Sequence, residues 1–154
     1  MKRGLRIGGH PLHAALSDFP MVLLLLWVLL DGAALVLGSP LLWMLGRWAL
    51  IGGLVAAGVA ASAGFLDYLG LAEGAPRALR TATAHLAVML SVTCVAAIDL
   101  VYRGSTAPTG LGRVLHIAAL VLVAGGLGAG GWLGGHLVFH HGVGVAPESD
   151  RGQL

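Results

Sequence analysis

Charge is what this chain lacks most. Only 10% of its 154 residues are Asp, Glu, Lys or Arg, against about a quarter in an ordinary soluble domain. That shortage excludes a water-soluble globule with a conventional charged surface. Cysteine is scarcer still. Cys94 stands alone, so an internal disulfide and a thiolate cluster are both excluded, and a lone thiol inside an apolar run reads as a small core side chain. The nine basic residues are spread along the chain and form no basic patch, so nucleic acid is not an expected partner, despite a pI near 9.2. They read instead as signals of membrane topology. Ser17, Ser62 and Ser91 have no nucleophile-elbow context, and no paired carboxylates lie close in sequence, so a soluble-type hydrolase is not indicated.

What the chain has is apolar length and glycine: 57% of it is hydrophobic, with 25 glycines and a mean hydropathy of +0.88. Crossing a bilayer takes roughly 20 apolar residues, and four such runs separate cleanly. The first helix is expected from Leu12 to Leu37, broken near its start by Pro20. Gly38-Ser39-Pro40 makes a tight turn, with Pro40 suited to a helix start. The second runs from about Leu41 to Tyr68. A polar loop, Glu73 to Arg77, leads to the third, from about Leu79 to Tyr102. The loop from Gly104 to Gly110 precedes the fourth, from about Leu111 to Phe139. Short connections make sequential neighbours antiparallel, so the expected fold is all-α: an up-down-up-down bundle of four transmembrane helices. Residues 1–145 form this single domain, and residues 146–154 read as a disordered tail. No internal sequence repeat or low-complexity segment is visible.

The basic N-terminus resembles a signal peptide. However, Pro20 and Asp31 interrupt the run and no A-x-A pattern follows, so it reads as a retained span. Lys2, Arg3, Arg6, Arg77, Arg80 and Arg151 fall on one side of the membrane, Arg47, Arg103 and Arg113 on the other. That modest excess favours both termini in the cytoplasm. The lipid bilayer is therefore the expected partner, and the oligomeric state is open.

Antiparallel threading sorts the polar residues into two layers. His10, His13, Asp18, Asp67, Arg80, His85, His136, His140 and His141 share one face of the membrane. Asp31, Arg47, Asp99, Arg103 and His116 lie toward the other. Ionisable groups within a span are costly and face one another rather than lipid, so His116 with Asp99, and Asp31 with Arg47, are the expected buried pairs. Trp27, Trp43, Trp48 and Trp132 read as core residues or interface anchors. Small residues recur every fourth position in two helices: Gly52, Ala56, Ala60 and Gly64, then Gly126, Gly130 and Gly134. Such a stripe lets a neighbouring helix or a flat cofactor approach closely. At about 100° per residue, His116 and His141 fall on the face of Gly134, with His136 opposite.

Three readings of the histidine layer stay open. His85 with His141 or His13 could hold a b-type haem, with Gly130 and Gly134 as its wall and Asp67 accepting the second ring N–H of a ligand. His13, His85, His141 and Asp67 could instead bind a transition metal or serve an ion path. Or the same groups could only join helix ends, in a structural or anchoring subunit without a cofactor.

His10-Pro11-Leu12-His13 followed by Asp18-Phe19-Pro20, Gly64 to Asp67, His85, and the segment from Gly134 to Val145 resemble the bacterial membrane family called domain-of-unknown-function family 2231. Ala14 departs from its usual proline, and His136 and His140 stand where it commonly has an acidic or basic residue. The resemblance implies a four-span integral membrane protein with no settled activity. It also implies a redox partner, because members are sometimes joined to a Rieske-type iron–sulfur domain.

Overall fold

Four long helices account for nearly all of the structure, a computed structural model that describes residues 6–7, 10–71 and 75–145, with side chains from residue 11 onward. The tail 146–154, Lys2, Arg3, Glu73, Gly74 and Arg151, and the side chains of Arg6 and His10, lie outside the described part. α1 spans Leu12–Leu37, α2 Pro40–Leu71, α3 Pro76–Tyr102 and α4 Gly110–Phe139. Two short strands, β1 (Arg6–Ile7) and β2 (His10–Pro11), pair antiparallel just before α1. Each helix carries an 18-residue window of mean hydropathy between 1.9 and 2.3, long and apolar enough to cross a bilayer.

The helix ends follow local chemistry. α1 stops at Gly38, whose φ of 63° is the left-handed conformation that glycine adopts without a Cβ penalty. Pro40 opens α2 and Pro76 opens α3, where a missing N–H costs nothing. The expected break at Pro20 is absent: α1 runs through it, with the ring buried. A proline removes one intrahelical bond, and packing against neighbouring helices carries that loss within a membrane bundle.

α1 packs chiefly on α2 and α3 on α4, while sparser α2–α3 and α1–α4 contacts close the ring. Leu24, Trp27, Leu50, Ala96 and Val123 form the fully enclosed centre of the core. Trp132 and Phe139 are 76% and 91% exposed, an outward apolar surface suited to acyl chains rather than water. Cys94 belongs to this outer surface, which corrects its reading as a core side chain. A thiol is apolar enough for either environment.

The burial pattern repeats even where most residue identities differ. Pro20, Leu24 and Asp31 are buried in the first hairpin, and Val92, Ala96 and Arg103 are buried 72 positions later. On the second helix of each hairpin, Gly46, Leu50, Gly53, Ala57 and Ala60 match His116, Leu120, Val123, Leu127 and Gly130, 70 positions later. α1 and α3 run in the same direction in an up-down-up-down chain. The two hairpins therefore share a burial pattern of the kind that parallel repeats show.

Candidate functional site

The histidine layer begins with two side chains in equivalent surroundings. His13 on α1 sets its Nδ1 2.9 Å from the carbonyl of Ala60 on α2. His85 on α3 sets its Nδ1 2.9 Å from the carbonyl of Gly130 on α4. A carbonyl only accepts, so each Nδ1 carries a proton, and in the neutral ring each Nε2 carries the lone pair. Four residues beyond each carbonyl is a glycine under the ring. A Cβ at Gly64 would meet the His13 ring at 2.6 Å, and one at Gly134 would meet the His85 ring at 3.4 Å. The two imidazoles lie within electrostatic range of one another across the hairpins. His13 and His85, Ala60 and Gly130, and Gly64 and Gly134 each obey the spacing of the repeat.

Among the described contacts, the remaining candidates do not bond to either ring. Asp67 lies one turn past Gly64, half-buried. The second ring N–H of His13 and of His85 goes to main-chain carbonyls rather than to Asp67. His141 does not continue the face of Gly134, because α4 ends at Phe139 and His140 caps it. Its Nε2 instead lies 3.1 Å from Thr81 Oγ1 on α3. The ring of His141 is edge-on to His136 and His140, which stack with centroids 4.5 Å apart. Partial burial together with the nearby His140, His136 and Arg77 holds the His141 imidazole below its ordinary range. The glycine stripe of α4 receives α3: Gly126 faces Val92, Gly130 faces Met89 and Gly134 faces His85.

The opposite layer is a buried ion cluster to which all four helices contribute. Asp31 on α1 is fully enclosed. It accepts a two-pronged bond from Arg103, from Nη1 to Oδ2 and from Nη2 to Oδ1, the latter 2.7 Å. It also accepts one from Trp27 Nε1 at 2.6 Å. Gly46 of α2 makes room, since any Cβ there would collide with the Asp31 carboxylate. The Arg103 guanidinium lies 3.5 Å over the Trp43 ring and donates to the Trp43 carbonyl at 2.7 Å, a planar cation matched to a planar face. His116 on α4 places Nδ1 2.6 Å from Asp99 Oδ1 and Nε2 3.3 Å from Asp31 Oδ2.

The expected pair of His116 with Asp99 is present. The expected pair of Asp31 with Arg47 is not: Arg103 occupies Asp31, and Arg47 donates to the carbonyls of Arg103 and Gly104 at 3.0 and 2.9 Å. The cause is the end of α3. Arg103 leaves the helix in extended backbone and its side chain turns inward, while the carbonyls freed there need a cation at the rim. Sequence reasoning did not single out Trp27 or Trp43 for this site. Their available signal was spacing, because Trp27 and Asp31 sit one helical turn apart on the same face as Leu24.

Asp31, Asp99 and His116 offer ligand-type atoms within 4.8 Å of one another. Arg103 already supplies the positive charge such a cage would take from a metal, so the arrangement is an ion-pair network. No curated protein and no solved structure matches the chain. The model of one family, described as a predicted membrane protein (DUF2231), matches residues 9–147, nearly the whole four-helix span. The chain therefore belongs to the DUF2231 family of predicted membrane proteins.

Proposed function

We propose that this membrane protein holds a b-type haem between its two hairpins, with His13 and His85 as the axial ligands, and passes electrons at that membrane face. One observation carries the reading. Both histidines donate Nδ1–H to a carbonyl, at 2.9 Å in each case, and so present Nε2 lone pairs from equivalent places in a repeated scaffold. Metal-ligating histidines use their second nitrogen in this way, because the bond fixes tautomer and ring orientation. A centre on the axis between two like halves is met by two like ligands. Gly64 and Gly134 seat the two imidazole rings, and Gly130 lets α3 approach through Met89. The Rieske-type partner implied by the resemblance would suit such a carrier.

The neighbouring His136, His140 and His141 rings favour a second reading, in which a transition metal without porphyrin is handled at the same face. In either case the bias of Lys and Arg supports cytoplasmic termini in a bacterial inner membrane. Protein purified in detergent separates the readings. A Soret band with a reduced α band, lost in His85→Ala and in His13→Ala, is the expected result. A colourless protein with about one equivalent of metal favours the second reading. A colourless, metal-free protein contradicts both and leaves the histidines as helix-joining groups.

A further inference from the structure

The repeat keeps its symmetry at His13 and His85 and abandons it at the other membrane face. There the equivalent places hold Trp27 and Asp99, Asp31 and Arg103, and Gly46 and His116. The divergence is complementary: Asp31 of one half grips Arg103 of the other, and the space Gly46 leaves is filled by the Asp31 carboxylate. These positions build one site out of two halves, and nothing in its pairing requires the histidine layer.

Its charges can be counted. α1 contributes Asp31, α3 contributes Asp99 and Arg103, and α4 contributes His116. From α2 the charged neighbour is Arg47, engaged at the rim with the carbonyls of Arg103 and Gly104. Arg113, nearly one turn before His116, is bound to the Leu35 carbonyl. With a neutral imidazole the cluster holds two carboxylates against one guanidinium and carries a net negative charge inside the membrane. Enclosed charge of that kind is strongly disfavoured unless compensated. With an imidazolium the cluster is neutral.

The geometry asks for the same proton. Both nitrogens of His116 face carboxylate oxygens, at 2.6 and 3.3 Å, and a neutral ring has a hydrogen for only one of them. His116 Nε2, Arg103 Nε and Asp99 Oδ2 are buried without a hydrogen-bond partner, so the pairing is incomplete and aimed inward. We propose that the cluster of Asp31, Asp99, Arg103 and His116 is an intramembrane proton-binding site, in which His116 carries the proton between the two carboxylates and Asp99 is its exchange partner. Transfer from Nδ1 to Asp99 Oδ1 breaks one N–H bond and forms one O–H bond, leaving the cluster neutral throughout. Asp99 is the member through which a proton would enter or leave. Its side chain is 9% exposed, against 0% for Asp31 and Arg103 and 4% for His116.

Nitrogen-15 NMR of histidine-labelled protein in lipid nanodiscs tests this at neutral pH. The expected result is a His116 ring with both nitrogens protonated, lost when Asp99→Asn removes one carboxylate charge. A neutral His116 ring in the unaltered protein overturns the proposal, and it does so even if the variant fails to fold. Displacement of the ring protons by added zinc overturns it in favour of a metal site. Changed exchange of the His116 N–H with deuterated water in Asp99→Glu, which keeps the charge but moves the carboxylate, supports Asp99 as the exchange partner, and unchanged exchange removes Asp99 from that role.

Discussion

At Gly64 and Gly134 the two halves of the histidine layer differ in tightness, and the difference can be measured. A Cβ at Gly64 falls 2.6 Å from the His13 ring, while one at Gly134 falls 3.4 Å from His85. Gly64→Ala must therefore push the ring off its carbonyl or part the helices, whereas Gly134→Ala makes an ordinary contact. Overpacking of this kind costs about 1–3 kcal/mol. Thermal unfolding in detergent should show a clear loss for the first variant and little change for the second. His141 gives a pH test. Its imidazole is held below the ordinary 6.5, so as pH falls the unfolded chain takes up its proton before the folded one. Any stability from the neutral ring beside Thr81 is complete above the ordinary value and is lost as pH falls below it. An NMR titration of His141 with a midpoint below 6.5 is the expected outcome.

Among the elements, α3 shows where the sequence could be read and where it could not. Its span was legible from hydropathy, and so was the pairing of Asp99 with His116, since both lie toward the same face of adjacent antiparallel helices. The partner of Asp31 was not legible. Arg47 and Arg103 sit at the same depth, and the choice between them depends on how the chain leaves α3 after Tyr102. The position of His141 failed for a related reason: extrapolating 100° per residue holds only while α4 lasts, and it ends two residues earlier. Pro20 was misjudged because lateral packing, invisible in a local window, holds α1 together. The ion pair supplies its own test. Arg103→Ala leaves Asp31 enclosed without its cation, and breaking such a pair costs about 3–5 kcal/mol. Replacing both partners, Asp31→Leu with Arg103→Met, should recover most of that loss, because a buried pair exchanged for apolar groups of similar volume is often neutral or better. Unfolding of the single and double variants checks both expectations.

Over the whole molecule, the number of spans and their order could be inferred from the apolar runs along the chain, but the repeat could not. Among the five matched buried positions of α2 and α4, only Leu50 and Leu120 share an identity, while His13 with His85 and Gly64 with Gly134 are identical pairs outside that set, so burial repeats more widely than residue type. That hidden symmetry is what turns His13 and His85 from two polar residues into a pair. The most direct test is a titration of haem-free protein in nanodiscs with haemin, followed by absorption. The account predicts saturation at one haem per chain with a low-spin, two-imidazole spectrum, converted to high-spin by His13→Ala and by His85→Ala alike. A low-spin spectrum that survives either substitution, or no binding at all, would contradict it.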